Sequence, residues 1–316
     1  MKTLRLLPLL TFLVAMQSFA ANTARQVVDS TAFVFEQAFV DAARGKEIAA
    51  GLRAAKIDPK LEGAALAEAV QKTIRAMEND AHLQVTFDAA RSSEPMATKE
   101  QIDERINHPD GPARQRMRPP TAGQITSRML DNNIGYVAIE SFPDPDDARD
   151  EFAAAFKAVE NASAVILDLR QNHGGTQQMV NFVSSYFLPA DDRVLLTSTF
   201  RTRPQPFVSR TVETPTRKLE NVPLAILTSA NTVSAGEACA YILQQFGRGK
   251  VVGWKTKGGG RHNIFVDIGG GYTVSVSMGS TQHPKSGTGW QGTGVIPDVQ
   301  VAAKDAVEEA VRMLTK

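Results

Sequence analysis

Residues 222–260 constrain this chain more than any other stretch. They read VPLAILTS, then ANT, then VSAGEACAYILQQFG, then RGKVVGWKTKGGG. The first block is an apolar run with polar bounds, the length of a buried strand. In the third block Ala238, Tyr241, Ile242 and Phe246 recur near helical spacing, and Gly247 stands where helices end. The pattern predicts a strand that turns into a helix at Ser234. A hydroxyl there leaves the end of a sheet beside the free N–H groups of a first helical turn, which can receive an oxyanion. The residues SAGE (234–237) also fit a capping box, with Glu237 reaching back to the helix start. Spacing alone favours the cap. The rest of the chain moves the weight to a nucleophile.

A second strand-to-helix unit precedes it. Residues 135–140 predict a strand, and Phe152, Phe156 and Val159 fall on one face of a helix over 150–160. AVILDL (164–169) is a further buried strand. It runs into RQNHGG (170–175), then a helix from Thr176 to Phe187 that Pro189 stops. Strand, glycine turn and helix, used twice, imply an α/β core with parallel strands. Ligands gather at the C-terminal strand ends of such sheets, where the glycine pair and Ser234 both fall. Gly174 or Gly175 is thus the expected source of one oxyanion donor and Ala235 of the second. The glycines also serve a tight turn with positive φ.

Upstream, residues 1–20 combine Lys2 and Arg5, a short apolar core and Ser18-Phe-Ala20, the form of an export leader cleaved after Ala20. Its apolar core is too short to span a membrane comfortably, so a soluble, exported (periplasmic or extracellular) chain without stable membrane insertion is expected. Residues 22–80 carry helical periods punctuated by Gly45 and Asp58-Pro59, which predict a small helical bundle. His82 then stands at the mouth of a strand in which Leu83, Val85 and Phe87 alternate. An isolated histidine in a turn is usually structural, unless another element brings it to Ser234. Residues 88–132 are punctuated by prolines and hold Arg114, Arg116 and Arg118, so a solvated linker is expected. The expected domains are therefore a leader (1–20), a helical bundle (22–80), a linker with an edge strand (81–134) and the core (135–316).

After the core strands, IFVDI (264–268), a Gly269–Gly271 turn and YTVSVS (272–277) predict a hairpin, and residues 303–314 an amphipathic helix. The 35 basic and 34 acidic residues leave no electrostatic footprint for nucleic acid. Cys239 is the single cysteine, so no intramolecular disulfide forms, and its apolar neighbours suggest a buried thiol. The five histidines, His82, His108, His173, His262 and His283, lack metal-ligand spacing, and no nucleotide motif stands in a strand–helix frame. No cofactor is expected.

Four ordered motifs together carry a resemblance: DLRQNHGG (168–175), TSANTVSAGE (228–237), RGKVVGWKT (248–256) and GTGVIPD (292–298). They resemble the S41 serine peptidases, which include the C-terminal processing proteases and tricorn. The resemblance covers residues 135–302, with DAHL (80–83) fitting more weakly. Processing proteases carry a lysine in a G-x-x-T-x-G-K-G run. The run here is GWKTKGGG (253–260), with Gly259 in the lysine's place. The roughly fifty residues between the bundle and the core are too few for the PDZ domain of those enzymes. The chain looks more like the branch of tricorn and interphotoreceptor retinoid-binding protein.

The resemblance implies a fold with an N-terminal helical bundle and an α/β core of the crotonase-like type. It implies Ser234 as nucleophile and His82 as general base. Two positions depart from the tricorn pattern: Ala81 stands for a serine, and Gln291 for the glutamate that supports the histidine. Gln291 can still hydrogen-bond but brings no negative charge to an imidazolium. The implied function is a secreted serine peptidase acting on a peptide or protein substrate. A mechanistic variant uses Lys255 or Lys257 as base. The alternative function is a catalytically weak or inactive domain that binds an apolar ligand or peptide termini.

Overall fold

The computed structural model describes residues 8–108, 123–216 and 219–316, with side chains from residue 23 onward. The leader expected over residues 1–20 therefore lies outside the described side chains, and Arg114 and Arg116 and Arg118 lie outside the described residues. The chain divides into two compact units, Met1–Met117 with Asn263–Met278, and Arg118–His262 with Gly279–Lys316. The hairpin residues 263–278, counted with the core from the sequence, thus group with the N-terminal helices.

In the first unit, helices α1 (Pro8–Ala38), α2 (Ala42–Ala54), α3 (Gly63–Met77) and α4 (Lys99–Asn107) bury one face each. Phe35 and Phe39 of the α1 end, Ile48 and Leu52 of α2, Leu66, Val70 and Ile74 of α3, and Ile102 and Ile106 of α4 are all buried. Their i, i+4 spacing is what makes the elements helical and amphipathic. Asp41 caps α2 by accepting from the Ala43 and Arg44 N–H groups, and Thr98 with Gln101 forms a capping box on α4. Helix α4 lies in the stretch expected as linker, where the short Thr98-x-x-Gln101 signal was overshadowed by neighbouring prolines. Strand β1 (Gln84–Phe87) pairs antiparallel with the Tyr272–Ser275 part of a later strand. That strand follows a turn at Gly269, Gly270 and Gly271, whose φ values of 81°, 59° and 82° suit three glycines in a row.

The second unit is built on a six-stranded sheet. Its strands are β2 (Ile125–Leu130), β3 (Ile134–Ile139), β4 (Ala164–Asp168), β7 (Leu224–Thr228), β8 (Lys250–Gly253) and β11 (Val299–Gln300). The order is β11-β8-β7-β4-β3-β2, parallel except for β2, which runs antiparallel to β3. The α/β core expected from alternating strand and helix signals is present. Alternation along each strand sends side chains to opposite faces. Val165, Leu167, Ile226 and Val251 pack with helices α5 (Pro145–Ala158), α6 (Gln177–Ser185) and α7 (Ala235–Gln245). Ala164, Ile166, Ala225, Leu227 and Val252 pack with α8 (Ala306–Leu314). Both faces are covered, as a parallel sheet requires.

Five strands escape sequence reading: β2, which lies in the stretch expected as linker, β8 and β11, and the antiparallel hairpin of β5 (Val194–Phe200) and β6 (Arg203–Arg210). Pro204 and Pro206 interrupt the alternation in β6, which is almost wholly exposed, and edge position tolerates them. The remaining strands are β9 (Arg261–Gly269) and β10 (Tyr272–Gln282). Residues 279–282 of β10 pair with β5 in this second unit.

Candidate active site

Strand β7 is buried throughout, and the chain leaves it through residues 229–233 to begin α7. Ser234 opens that helix at φ 55°, ψ −114°. A side chain in this left-handed region is strained by about 1–3 kcal/mol and persists only where the surroundings hold it. Here they do. The Ser234 N–H donates to Glu237 Oε2 at 2.8 Å. The residue is half-buried and lines a pocket.

Glu237 does more than cap. Its fully buried carboxylate also accepts from the Gly258 and Gly259 N–H groups at 2.6 and 2.7 Å and from the Thr256 hydroxyl at 2.6 Å. One side chain thus ties the start of α7 to the 256–260 loop. That loop is held from its other side: Trp290 Nε1 donates to Gly259 O at 3.0 Å, and the Gly260 N–H donates to Gln291 Oε1 at 2.8 Å.

The glycine turn after β4 approaches Ser234 closely. A Cβ on Gly174 would stand 3.1 Å from the Ser234 Cβ. Gly174 and Gly175 adopt φ 98° and 136°, and a Cβ on Gly175 would lie only 2.0 Å from the Phe142 carbonyl oxygen. Asn172, buried and unremarked in the sequence reading, latches the two turns together. Its Nδ2 donates to Ile139 O at 3.0 Å, its Oδ1 accepts the Gly174 N–H at 2.9 Å, and its carbonyl accepts the Val233 N–H at 3.1 Å. Upstream, Asp168 accepts from the Tyr136 hydroxyl at 2.5 Å and pairs with Arg170 at 2.6 Å. Burial and the neighbouring Asp168 carboxylate push the Tyr136 phenol up to about 12.

These elements enclose a pocket of about 50 Å³, lined by Ser234, Ala235 and Ala238 of α7, Gly175 and Gln177, residues 259–262, Thr281 and Trp290. Of the residues expected from sequence, Ser234, Ala235 and Gly175 share this lining. Gly174 abuts Ser234, and Gln291 buttresses Gly260. Lys255 and Lys257 are exposed and off the lining. The pocket holds two residues that the sequence did not single out for catalysis, Arg261 and His262. His262 Nε2 lies 2.8 Å from the Ser198 hydroxyl, which is itself 3.2 Å from Thr281 Oγ1.

His82 belongs to the first unit. It is buried at the entrance to β1. Its N–H donates to Asp80 Oδ1 at 2.9 Å, its carbonyl accepts from the Ser275 hydroxyl at 2.6 Å, and its Nδ1 lies 3.5 Å from Asp80 Oδ1. The second Asp80 oxygen accepts from the Ser277 hydroxyl at 2.7 Å. Burial works to raise the Asp80 carboxyl. The interactions with the His82 side chain and N–H and with Ser277 outweigh it and hold the carboxyl at about 2.

Comparison with known proteins follows the same core. Residues 133–301 match the profile of "Peptidase family S41". A carboxyl-terminal-processing protease of Synechocystis is 28% identical over 168 residues, covering 52% of this chain and 38% of that protein. The chloroplastic carboxyl-terminal-processing peptidase 1 of Arabidopsis thaliana is 28% identical over 180 residues, covering 56% of this chain and 35% of that protein. The chain therefore spans less than two fifths of these curated relatives. Among solved structures, the photosystem II D1 C-terminal processing protease superposes with a TM-score of 0.57 at 17% identity, covering 92% of this chain and 97% of that one. The tricorn protease gives a TM-score of 0.55 at 13% identity, covering 93% of this chain and 37% of that one. At such identities these two establish the fold.

Proposed function

The chain belongs to peptidase family S41, a family of serine hydrolases, and from that premise we propose that it hydrolyses peptide bonds through Ser234. The observation that carries this reading is the strained, half-buried Ser234 at a helix start, pressed against a glycine turn. Strain of this kind concentrates at functional sites, and a serine at a sharp strand-to-helix turn presents its hydroxyl to solvent.

Two backbone donors suit the oxyanion. Ala235 is the first residue of α7, so its N–H has no intrahelical acceptor. Gly175 forms a parallel bridge with Phe142 in which Gly174 O and the Thr176 N–H make the bonds, at 2.8 and 2.6 Å. In that geometry the N–H of Gly175 itself faces away from Phe142. The N–H of Gly174 is given to Asn172, so between the two glycines Gly175 is the donor. Ser234 Oγ attacks the scissile carbonyl carbon as its proton passes to an imidazole. The oxyanion settles on Gly175 and Ala235, and the same imidazole returns the proton to the leaving amine.

His82 is the imidazole we assign, from its place in the DAHL segment and from its carboxylate neighbour Asp80. Gln291 would act through Gly260, whose N–H it holds, and so shape the pocket wall. His262 is the competing base, because it lines the Ser234 pocket. Lys255 and Lys257 have less support, since both side chains are exposed and neither lines the Ser234 pocket. The apolar-ligand alternative also has less support. A pocket of about 50 Å³ falls well below the roughly 300–1,000 Å³ of small-molecule sites.

The proposed substrate is a peptide or protein, and the domain limits 22–80, 81–134 and 135–316 are proposed as read from the sequence, apart from residues 263–278, which group with the N-terminal helices. Export through the leader over residues 1–20 is part of the proposal. Among the described residues no helix is long and apolar enough to cross a membrane.

The test is the rate of labelling by a fluorophosphonate in the full chain and in Ser234→Ala, His82→Ala and His262→Ala. The proposal expects no labelling in the first, a severe loss in the second and near wild-type rates in the third. Loss in His262→Ala with retention in His82→Ala transfers the base to His262. Absence of labelling in the folded wild type ends the hydrolase reading and returns attention to ligand binding.

A further inference from the structure

We infer that Asp80 is the positioning carboxylate of this site, orienting His82 and holding its proton on Nδ1 so that Nε2 carries the lone pair. The inference rests on the reading of His82 as the base.

The geometry is local and complete within one unit. Asp80 stands two residues before His82, in the turn that joins α3 to β1. One of its oxygens, Oδ1, both accepts the His82 N–H at 2.9 Å and faces Nδ1 at 3.5 Å. The first bond fixes the main chain of the histidine relative to the carboxylate. The second contact is long for a hydrogen bond and of the kind that tightens when an imidazolium forms. The other oxygen is held by Ser277 at 2.7 Å, so the carboxylate cannot swing away. From the facing strand, Ser275 clamps the His82 carbonyl at 2.6 Å. The groups that β10 presents to the pair are therefore hydroxyls, and the negative charge beside His82 comes from Asp80.

A carboxylate here answers a chemical need. When Ser234 Oγ bonds to the carbonyl carbon, its proton moves to Nε2, and the ring carries a positive charge until the leaving amine takes that proton. Asp80 remains ionised throughout, as its low carboxyl value favours. Gln291 is uncharged and cannot balance that charge. An imidazole whose Nδ1–H points at a carboxylate is also held in the tautomer that leaves Nε2 free to accept.

Nitrogen-15 NMR of the histidine-labelled full chain reads the tautomer directly and needs no variant and no substrate. The inference expects His82 as the Nδ1–H form in the neutral ring. An Nε2–H form would overturn it. The second arm measures fluorophosphonate labelling against pH in wild type, Asp80→Asn and His82→Ala. Asp80→Asn is expected to slow labelling on the order of 10⁴-fold and to move the rising limb to lower pH, since it removes an opposite charge beside the ring. A purely structural role would lower the labelled fraction without moving the limb, and that result would overturn the inference. If His82→Ala abolishes labelling while Asp80→Asn leaves rate and limb unchanged, the base reading stands and the Asp80 inference falls. If labelling survives His82→Ala, the base reading falls first and takes the inference with it.

Discussion

The Ser234 N–H points back to the Glu237 carboxylate at 2.8 Å, and this contact connects the backbone of Ser234 to the loop that walls its pocket. The same carboxylate takes three further hydrogen bonds, two from Gly258 and Gly259 and one from Thr256. Every donor around it is a backbone N–H or a hydroxyl. Glu237→Gln would place an amide NH₂ against those N–H groups and leave at least one buried donor unpaired. The expected cost is about 2–4 kcal/mol in urea unfolding, with labelling of Ser234 reduced at least tenfold. Unchanged stability would mean that the carboxylate is not the organising centre described here.

Strain at Ser234 predicts a wide gap in stability between two variants. Ser234→Ala removes the hydroxyl but keeps a Cβ at φ 55°. Ser234→Gly removes both, and glycine adopts positive φ without steric cost. Both variants should be inactive. The glycine variant should be more stable than the alanine variant by about 2 kcal/mol in equilibrium denaturation, because relief of strain adds to the ordinary preference for glycine over alanine at an N-cap. The reverse order would show that the backbone is not strained at this residue.

Most of the core was legible because its chemistry is repetitive. The apolar runs before Asp168 and Thr228 are too short for helices and so read as buried strands, and each is followed by glycine or serine and a helical period. The hairpin at Gly269–Gly271 was legible for the same reason. The β5–β6 hairpin was not, because an exposed edge strand carrying Pro204 and Pro206 need not alternate. At the site, Ser234, Ala235 and the glycine pair announced themselves by position. Glu237, Asn172 and Asp80 did not. Their partners lie 21 and 22 residues away (Gly258 and Gly259), 33 away (Ile139) and 197 away (Ser277), and only folding reveals them. Glu237 was legible as a cap, which is the smaller part of what it does. His262 lacked any local signal, since a histidine in the first residues of a strand is ordinarily structural.

The glycine turn offers a sharp steric test. A methyl group on Gly175 would meet the Phe142 carbonyl oxygen at 2.0 Å, at a φ of 136° that L side chains avoid. The turn must open to accept it, which would displace the Gly175 N–H from the donor position proposed for it. Gly175→Ala should reduce labelling by 10²-fold or so, the order seen when one oxyanion donor is lost, and cost about 2 kcal/mol of stability. A variant with wild-type labelling would remove Gly175 from the oxyanion site.

His283 predicts a pH dependence of stability that is separate from catalysis. The ring is fully buried against Phe246 and Tyr241, and among the described residues no group reaches its Nε2. Burial, helped by the nearby Lys285 charge, pulls it down to about 4 from the ordinary 6.5. Between those values the unfolded chain binds a proton that the folded chain refuses. Stability is therefore full above about pH 6.5 and falls as pH drops toward 4, by about 2–3 kcal/mol for this group. His283→Phe should remove that part of the slope. Parallel stability–pH curves for wild type and variant between pH 4 and 7 would contradict the assignment.

The most direct test of the account is to find where a fluorophosphonate attaches. The full chain is treated with the probe, digested, and the adduct mapped by mass spectrometry. The account predicts one modified residue, Ser234, with modification blocked by prior unfolding in urea. Modification at another serine, or none in the folded chain, would contradict the claim that this strained residue is an activated nucleophile.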